Sequence, residues 1–352
     1  MLFIKIYVKI VRYTYGTIPF NNCDTGEIMI NADLKDFSFI SDFDGLNISA
    51  VAAVPPGEVY GVVQIIHGMN EYKERYFDFM DYLAEQGFIT VIHDNRGHGH
   101  SVREEGDLGF MYENGGEGFV ADITQFNRLV REAFQGIPCF MLGHSMGSLG
   151  ARCFLKENDS SIDGLLLLGT PAYSAFSAPV RAIGSAISKG GDVRNKIDKV
   201  EAAAEKLFNR GFGTTPRSWL TSCKEVVEEL NANPLSNYVY TLSGYESLLF
   251  LLKEAYSKRG WKVTSPKLPI RFLSGKKDPV MLSEKRFFKA VEALRKTGYE
   301  SISHRLFDNM RHEVLNEKNN ITVYRDIAKT LFSWIDRINQ SVDTADNEIK
   351  EG

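Results

Sequence analysis

The sequence predicts an α/β fold, in which a mostly parallel, doubly wound sheet is flanked by helices and interrupted by one helical insertion. From Asp36 onward, short runs rich in β-branched and aromatic residues alternate with longer segments of helical periodicity. This alternation stops near Pro171 and resumes near Pro269, and the residues between them show helical runs without a strand pattern. The length of 352 residues leaves room for such an insertion within one α/β core.

Apolar runs bounded by turn residues predict about eight strands, of which the first two form a hairpin. The strands are predicted at Phe37–Ile40, Leu46–Val54, Gly61–Ile66, Phe88–His93, Cys139–Leu142, Gly164–Leu168, Ile270–Leu273 and Ser301–Phe307. Helical periodicity between them predicts helices at Tyr76–Gln86, Gly118–Phe134, Met146–Lys156, Glu284–Lys296 and Thr322–Ile338. Each helix follows a strand, as a doubly wound sheet requires.

These patterns divide the chain into an extension, a core in two pieces, a helical lid and a flexible tail. The predicted parts are an N-terminal extension of residues 1–35, a core of 36–170 and 268–339, a lid of 171–267 and a tail of 340–352. In the extension, apolar residues alternate with Lys5 and Lys9, a pattern typical of an edge strand or of a basic anchor on a membrane surface. The tail is polar and shows no periodicity, which predicts fraying.

The predicted lid combines helical runs at Val200–Phe208 and Ser222–Leu230 with many aromatic side chains. Such side chains either pack the lid onto the core or line a substrate pocket, and the sequence leaves both alternatives open. The aromatic residues concerned are Phe176, Phe208, Phe212, Trp219, Tyr238, Tyr240, Tyr245, Phe250, Tyr256 and Trp261.

Composition and charge favour a water-soluble globular protein. The formal net charge of −4 is too small to indicate a nucleic-acid partner. Lysine and arginine residues break the apolar N-terminal stretch, so it does not resemble a signal peptide or a spanning helix. The cysteines form no CxxC pair, and we predict that all four are reduced and that the protein is cytoplasmic. They are Cys23, Cys139, Cys153 and Cys223.

The strongest chemical signal is the pentapeptide Gly143-His144-Ser145-Met146-Gly147, which lies between a predicted strand and a predicted helix. This is the GxSxG pattern of a nucleophile elbow, in which the serine occupies a strained strand-to-helix turn. The flanking glycines remove Cβ atoms that would clash with neighbouring chain. The following helix directs its N-terminal N–H groups toward the space where negative charge would form. Ser145 is therefore the predicted nucleophile.

A serine hydroxyl needs a base within hydrogen-bond reach, and histidine has the suitable pKa. In folds with this elbow, the acid and the base follow the serine in the chain, which leaves His304 and His312. His304 falls inside a predicted strand. His312 falls in a loop between the last strand and the last helix, where catalytic groups lie in this architecture. We therefore predict His312 as the base.

The base needs a carboxylate that fixes its tautomer, and Asp278 is the predicted acid. It follows the strand Ile270–Leu273 after a short turn, and Pro279 stiffens the backbone directly behind it. Asp308 is the alternative acid. Asp308 lies on the same loop as His312. The carboxylate that orients the histidine is expected at the end of the neighbouring strand, and Asp308 is too close to His312 in sequence to lie there.

An oxyanion hole needs two backbone N–H donors, one after the nucleophile and one from the loop after the third strand. Met146 and Met69 occupy these two positions. Gly68, directly before Met69, lets the backbone approach a ligand closely. An ordinary turn residue is the alternative interpretation of Met69.

A second block, DNRGHGHS from Asp94, contains His98 and His100 at a spacing that some zinc sites use. No cysteine or glutamate follows at metal-ligand spacing, and the glycines favour a structural turn. We predict neither a metal nor a cofactor.

Five blocks occur in the same order as in the lidded serine hydrolases that include monoacylglycerol lipases and lysophospholipases. They are HGMNEYKERY from His67, DNRGHGHS from Asp94, GHSMGS from Gly143, GKKDPV from Gly275 and HEVLNE from His312. This resemblance, which covers about residues 37–338, implies the α/β-hydrolase fold, the triad Ser145, Asp278 and His312, and oxyanion donors Met69 and Met146. The chain departs from it at Tyr72, where the family has histidine. That position lies near the site entrance, so the departure leaves the headgroup preference open.

The resemblance implies hydrolysis of a carboxylic ester of a monoacylglycerol or lysophospholipid type through an acyl-enzyme. A short-chain carboxylesterase, an acyltransferase or an aminopeptidase would use the same residues with another substrate or acceptor. A hydrolase-like binding protein would show a damaged triad, and here all three residues are present. The expected partners are a small acyl ester and, transiently, a membrane surface that contacts the lid or the N-terminus.

Overall fold

The structure is a computed structural model that describes residues 31–173 and 192–351, with the backbone alone for 341–351. One sheet of eight strands forms the centre of this part of the chain. Most of the predicted N-terminal extension lies outside these ranges. So do Cys23 and Phe176.

The strand order in the sheet is β1-β2-β4-β3-β5-β6-β7-β8. The first two strands form an antiparallel hairpin, β2 pairs antiparallel with β4, and all other neighbours are parallel. This arrangement confirms the predicted fold class. The strands are β1 Asp33–Ile40, β2 Asn47–Val54, β3 Gly61–Ile66, β4 Phe88–His93, β5 Cys139–His144, β6 Gly164–Leu168, β7 Ile270–Gly275 and β8 Ile302–Phe307.

Helices cover both faces of the sheet, and the central strands β3 to β6 are buried along their whole length. Helices α1 and α8 pack on one face, and helices α2, α3, α6 and α7 pack on the other. Helices α4, α5 and α6 belong to the insertion between β6 and β7. The bounds are α1 Phe77–Glu85, α2 Gly115–Ala133, α3 Met146–Asn158, α4 Asp198–Phe208, α5 Lys224–Ala232, α6 Leu242–Tyr256, α7 Glu284–Arg295 and α8 Ile321–Glu351.

Two helices differ from the sequence-based expectation. Helix α6 had no predicted counterpart because most of its side chains are buried, so no polar stripe reveals a helical period. The side chain of Thr241 caps its N-terminus by accepting a hydrogen bond from the Gly244 N–H at 3.2 Å. Helix α8 continues to Glu351 through the segment predicted as a flexible tail, since no glycine or proline interrupts residues 321–351.

The cysteines do not share one redox state. Cys139 and Cys153 are free, and burial raises the pKa of both thiols to about 12. Cys223 is disulfide-bonded, so the prediction of four reduced cysteines is wrong. Separation along the sequence carries no information on distance in space. The argument from reduced cysteines to a cytoplasmic location thereby loses its basis.

Within the described ranges, no helix combines the length and the hydropathy that crossing a bilayer would require.

A buried ion pair fixes the loop after β4 to helix α2. Arg96 is fully buried, and its Nε donates to Asp122 Oδ2 at 2.8 Å. Its Nη1 donates to Asp44 Oδ2 at 3.1 Å. A charge removed from water in this way is stable only while its partner remains.

We expect Arg96→Leu to lower the free energy of unfolding by about 3–5 kcal/mol, because the substitution leaves Asp122 buried without its cation. The matched control is Arg128→Leu, which breaks an exposed pair with Asp42 at 2.8 Å. That change should cost less than about 1 kcal/mol. Urea denaturation measures both values, and equal effects of the two substitutions would contradict this view of the Arg96 pair.

Candidate active site

Ser145 lies in the turn between β5 and α3 with a strained backbone, at φ 49° and ψ −115°. The turn closes because Gly147 has no side chain: a Cβ there would lie 2.1 Å from the carbonyl oxygen of Ile66 in β3. The Ser145 N–H donates to the carbonyl of Leu168 at the end of β6, at 2.9 Å. The serine is therefore held at the carboxyl edge of the parallel strands, as the pentapeptide predicts.

His312 and Asp278 reach Ser145 from the loops after β8 and β7. The Nε2 atom of His312 lies 2.8 Å from Ser145 Oγ, and its Nδ1 atom lies 3.0 Å from Asp278 Oδ2. Both the imidazole and the carboxylate are buried. The structure thus brings together the three residues that the sequence analysis selected, in the order serine, histidine, aspartate.

Local hydrogen bonds hold the Asp278 carboxylate in place. Its Oδ1 accepts from the Val280 N–H at 2.8 Å, and its Oδ2 accepts from the Ser274 hydroxyl at 3.0 Å. Asp308, the alternative acid, is 77% exposed and pairs with Lys276 at 2.7 Å. This hydrogen bond and the positive charge of Lys276 lower the pKa of Asp308. The geometry therefore favours Asp278 as the partner of His312.

Met69 and Met146 both lie on the wall of the cavity above Ser145. The loop that carries Met69 is fixed by Glu71, whose Oε2 accepts from the Gly68 N–H at 2.6 Å. Among the described residues, no acceptor takes up the backbone N–H of Met69 or Met146. The two residues thus border the same cavity as Ser145.

A buried network of charges that the sequence analysis missed lies behind the site. The Arg75 guanidinium contacts Glu71 at 3.0 Å and Glu313 at 2.6 Å. The Nδ1 atom of His144 lies 3.2 Å from Glu71. Burial lowers the pKa of His144, but the carboxylates of Glu71 and Glu313 together leave this pKa above its ordinary value. Glu71 and Arg75 are four residues apart, a spacing that favours an ion pair on a helical turn, and this spacing could have predicted their contact from the sequence.

The block DNRGHGHS forms a turn in which every residue except His100 is buried. Asp94 accepts from Lys73 through both the backbone N–H and Nζ, each at 2.8 Å. Lys73 Nζ also lies 2.8 Å from Glu74, so one ammonium group contacts both carboxylates. Buried His98 bonds to the Tyr240 hydroxyl, whereas His100 is exposed. The two histidines therefore have different surroundings.

A cavity of about 820 Å³ opens above Ser145. Three aromatic residues of the insertion, Phe208, Trp219 and Tyr245, line it with the aliphatic side chains of Leu248 and Val280. The Trp219 ring lies 5.3 Å from the His312 ring. The remaining described aromatic residues of the predicted lid do not line this cavity. Charged residues contribute to the wall as well: Asp198, Glu201, Glu205, Arg217 and Glu228.

The side chain of Tyr72 is buried and contacts the insertion. Its side chain is 3% exposed and is not part of the cavity wall formed by the described residues. Its hydroxyl donates to Glu229 Oε1 in helix α5 at 2.7 Å. The Tyr72 side chain therefore contacts helix α5 and not the cavity wall, and the expectation that the headgroup preference is open stays a prediction.

Residues 57–319 match the family model Hydrolase_4, described as serine aminopeptidase, S33, over about three quarters of the chain. The chain belongs to this family. The matched residues of this S33 member include all three groups that meet at Ser145.

The relatives match this chain over different shares of its length. A monoacylglycerol lipase of Mycolicibacterium smegmatis is 24% identical over 87% of this chain and 99% of its own length. A monoglyceride lipase homolog of Monkeypox virus is 29% identical over 34% of this chain. The chain spans only 41–44% of that viral protein and of the mammalian monoglyceride lipases that it matches.

Among solved structures, a thermostable carboxyl esterase of Bacillus coagulans in complex with glycerol superposes with a TM-score of 0.76. The two chains are 24% identical, and the match covers 86% of this chain and 99% of the esterase. At this identity the likeness establishes the shared α/β-hydrolase fold.

Proposed function

We propose that this protein is a serine hydrolase that cleaves carboxylic esters through an acyl-enzyme at Ser145. The proposal rests on two contacts in a row: Ser145 Oγ lies 2.8 Å from His312 Nε2, and His312 Nδ1 lies 3.0 Å from Asp278 Oδ2. Both contacts lie at a cavity whose wall is partly aromatic and aliphatic. Membership of the S33 family and the similarity to lipases and esterases support the same reaction class.

The reaction follows from the positions of these atoms. Ser145 Oγ attacks the ester carbonyl carbon while His312 Nε2 accepts the hydroxyl proton, and Asp278 holds the imidazole in the required tautomer. The tetrahedral intermediate collapses, the bond to the alcohol oxygen breaks, and His312 returns the proton to the leaving alcohol. Water then attacks the acyl-enzyme with His312 again as base, which releases the acid and restores the serine.

We assign the developing negative charge to the backbone N–H groups of Met69 and Met146. Both residues line the cavity next to Ser145, and neither N–H is taken up by an acceptor among the described residues. Met146 is the first residue of α3, so the helix dipole adds positive potential at this point.

The proposed substrates are monoacyl esters with a small headgroup, of the monoacylglycerol or lysophospholipid kind. The aromatic and aliphatic part of the cavity wall suits a single acyl chain, and residues 171–267 would act as the lid over it. Relatives named monoacylglycerol lipase, at 24% identity over 87% of this chain, and phospholipase, at 24% over 75%, are consistent with this class.

Cleavage of a substrate with a free amino group is a second candidate, which the acidic part of the cavity wall favours. Glu201 and Glu205 lie there. Both oxygens of Glu205 already accept hydrogen bonds, at 2.7 Å from the Arg217 N–H and at 2.9 Å from Trp219 Nε1. Ester cleavage is therefore the better-supported function. Turnover of an aminoacyl p-nitroanilide above that of a p-nitrophenyl ester would reverse this order.

We expect Ser145→Ala and His312→Ala each to lower turnover of a p-nitrophenyl ester by several orders of magnitude, with the double variant little worse than either. Such residues act as a unit, so their losses do not add. Steady-state kinetics of the four proteins test this expectation. Activity of Ser145→Ala within tenfold of the parent would refute the proposed function.

Asp278→Asn should leave the fold intact and slow turnover by about 10⁴, because the amide favours the wrong histidine tautomer. Asp308→Asn is the matched control, since Asp308 is exposed and pairs with Lys276 instead. The control should retain nearly full activity. If the two effects were reversed, Asp308 would be the acid.

The value of kcat/KM should rise as the acyl chain of the ester lengthens from acetate through butyrate and octanoate to decanoate. Each buried methylene contributes about 0.8 kcal/mol, so the roughly six that separate decanoate from butyrate contribute roughly 5 kcal/mol. A triglyceride should be a poor substrate because the further chains need space of their own. A maximum at acetate would instead indicate a short-chain esterase.

A further inference from the structure

One stretch of the insertion bonds directly to the loop that carries Met69. We call residues 67–72 the oxyanion loop and residues 217–238 the bridge segment, which contains α5. The Tyr72 hydroxyl donates to Glu229 Oε1 at 2.7 Å and accepts from Asn233 Nδ2 at 2.7 Å. From the same loop, Asn70 Nδ2 donates to the carbonyl of Tyr238 at 2.8 Å. The oxyanion loop is thus attached to the bridge segment at two side chains.

The same bridge segment also bonds to the loop that carries His312, residues 308–317, which we call the histidine loop. The Glu313 N–H donates to the Leu220 carbonyl at 2.8 Å. Arg311 Nη1 donates to the Thr221 carbonyl at 2.8 Å, and the Thr221 hydroxyl donates to the Asn316 carbonyl at 2.7 Å. The bridge segment therefore connects the two loops on the cavity side of the sheet.

We propose that Tyr72 is a positioning residue that acts through Glu229 and the bridge segment to set the distance between the oxyanion loop and the histidine loop. This inference rests on the proposed function. It assigns to Tyr72 an effect on the reaction rate for every ester, irrespective of the acyl chain or the alcohol.

The surroundings of Tyr72 support a positioning role and oppose contact with a headgroup. The side chain is 3% exposed and lies outside the cavity wall of the described residues. Burial and the neighbouring Glu229 carboxylate raise its pKa, so the phenol stays neutral and donates. Oxyanion donors act over hydrogen-bond distances, so a small displacement of the Met69 N–H weakens stabilisation of the transition state.

The test is Tyr72→Phe, which removes the hydroxyl and keeps the ring. We expect kcat to fall about tenfold for p-nitrophenyl acetate and for the decanoate alike, with KM within about twofold of the parent. Acetate is informative because its acyl group is too short to fill the cavity. A second pair of substrates, the glycerol and methyl esters of one fatty acid, should lose the same factor.

Tyr299→Phe is the matched control, because Tyr299 is also buried and its hydroxyl donates to the Asp159 carboxylate at 3.2 Å, outside the cavity wall. Melting temperatures show whether the two variants lose comparable stability. The control should keep the parent kcat. A similar loss of kcat in the control would mean that the loss in Tyr72→Phe comes from general destabilisation, and it would overturn the proposal.

Two further results would overturn the proposal. One is an unchanged kcat in Tyr72→Phe. The other is a loss of kcat confined to the glycerol ester, which would indicate that Tyr72 acts on the headgroup of the substrate. These failures are distinct from failure of the proposed function. In each of them the parent remains active and Ser145→Ala remains inactive, whereas an active Ser145→Ala refutes the hydrolase assignment itself.

Discussion

The close approach of helix α3 to strand β3 at Gly147 is the constraint on which the site geometry depends. Any side chain at this position would overlap the carbonyl of Ile66, since a Cβ would lie 2.1 Å from its oxygen. The approach places the start of α3 beside the loop that follows β3. Ser145, Met146 and Met69 consequently border one cavity, although two strands of the sheet carry them. The parallel arrangement then brings the loops after β7 and β8 to the same edge.

Buried charges stabilise this arrangement from the side of the core. Arg75 pairs with Glu71 on the oxyanion loop and with Glu313 on the histidine loop, and all three side chains are almost fully buried. Removing such charges from water is costly, so the network remains intact only when each charge keeps its partners. The two loops are therefore linked twice, by the ion pairs of Arg75 and by the hydrogen bonds of the bridge segment.

Local patterns were sufficient to predict the strands and the candidate residues at Ser145, Asp278 and His312. Each depends on a short motif in a strand-to-loop context, and the parallel sheet converts sequence order into spatial proximity. Features that depend on distant contacts were not predictable. Helix α6 is too buried to show a period, and the disulfide at Cys223 has no local signature.

Tyr72 illustrates the same limit at the level of one side chain. Its motif predicts where the backbone lies, next to the cavity, but not where the side chain points. Its partner Glu229 is 157 residues away along the chain. Glu313 is likewise 238 residues from Arg75, so neither interaction follows from spacing.

Helix α4 differs from the bridge segment in its attachments. Its carboxylates accept hydrogen bonds from within the insertion, at Arg217, Trp219 and Tyr240, rather than from the oxyanion or histidine loops. Residues of α4 nevertheless form part of the cavity wall. Two of these donors, Arg217 and Trp219, belong to the bridge segment, so Glu205 helps to hold that segment. Other wall residues of this helix, Ala202, Ala204 and Phe208, can change the shape of the cavity while those hydrogen bonds remain. During divergence of related chains, these three positions can adapt the cavity to new substrates while Glu205 and the loops keep the reaction geometry unchanged.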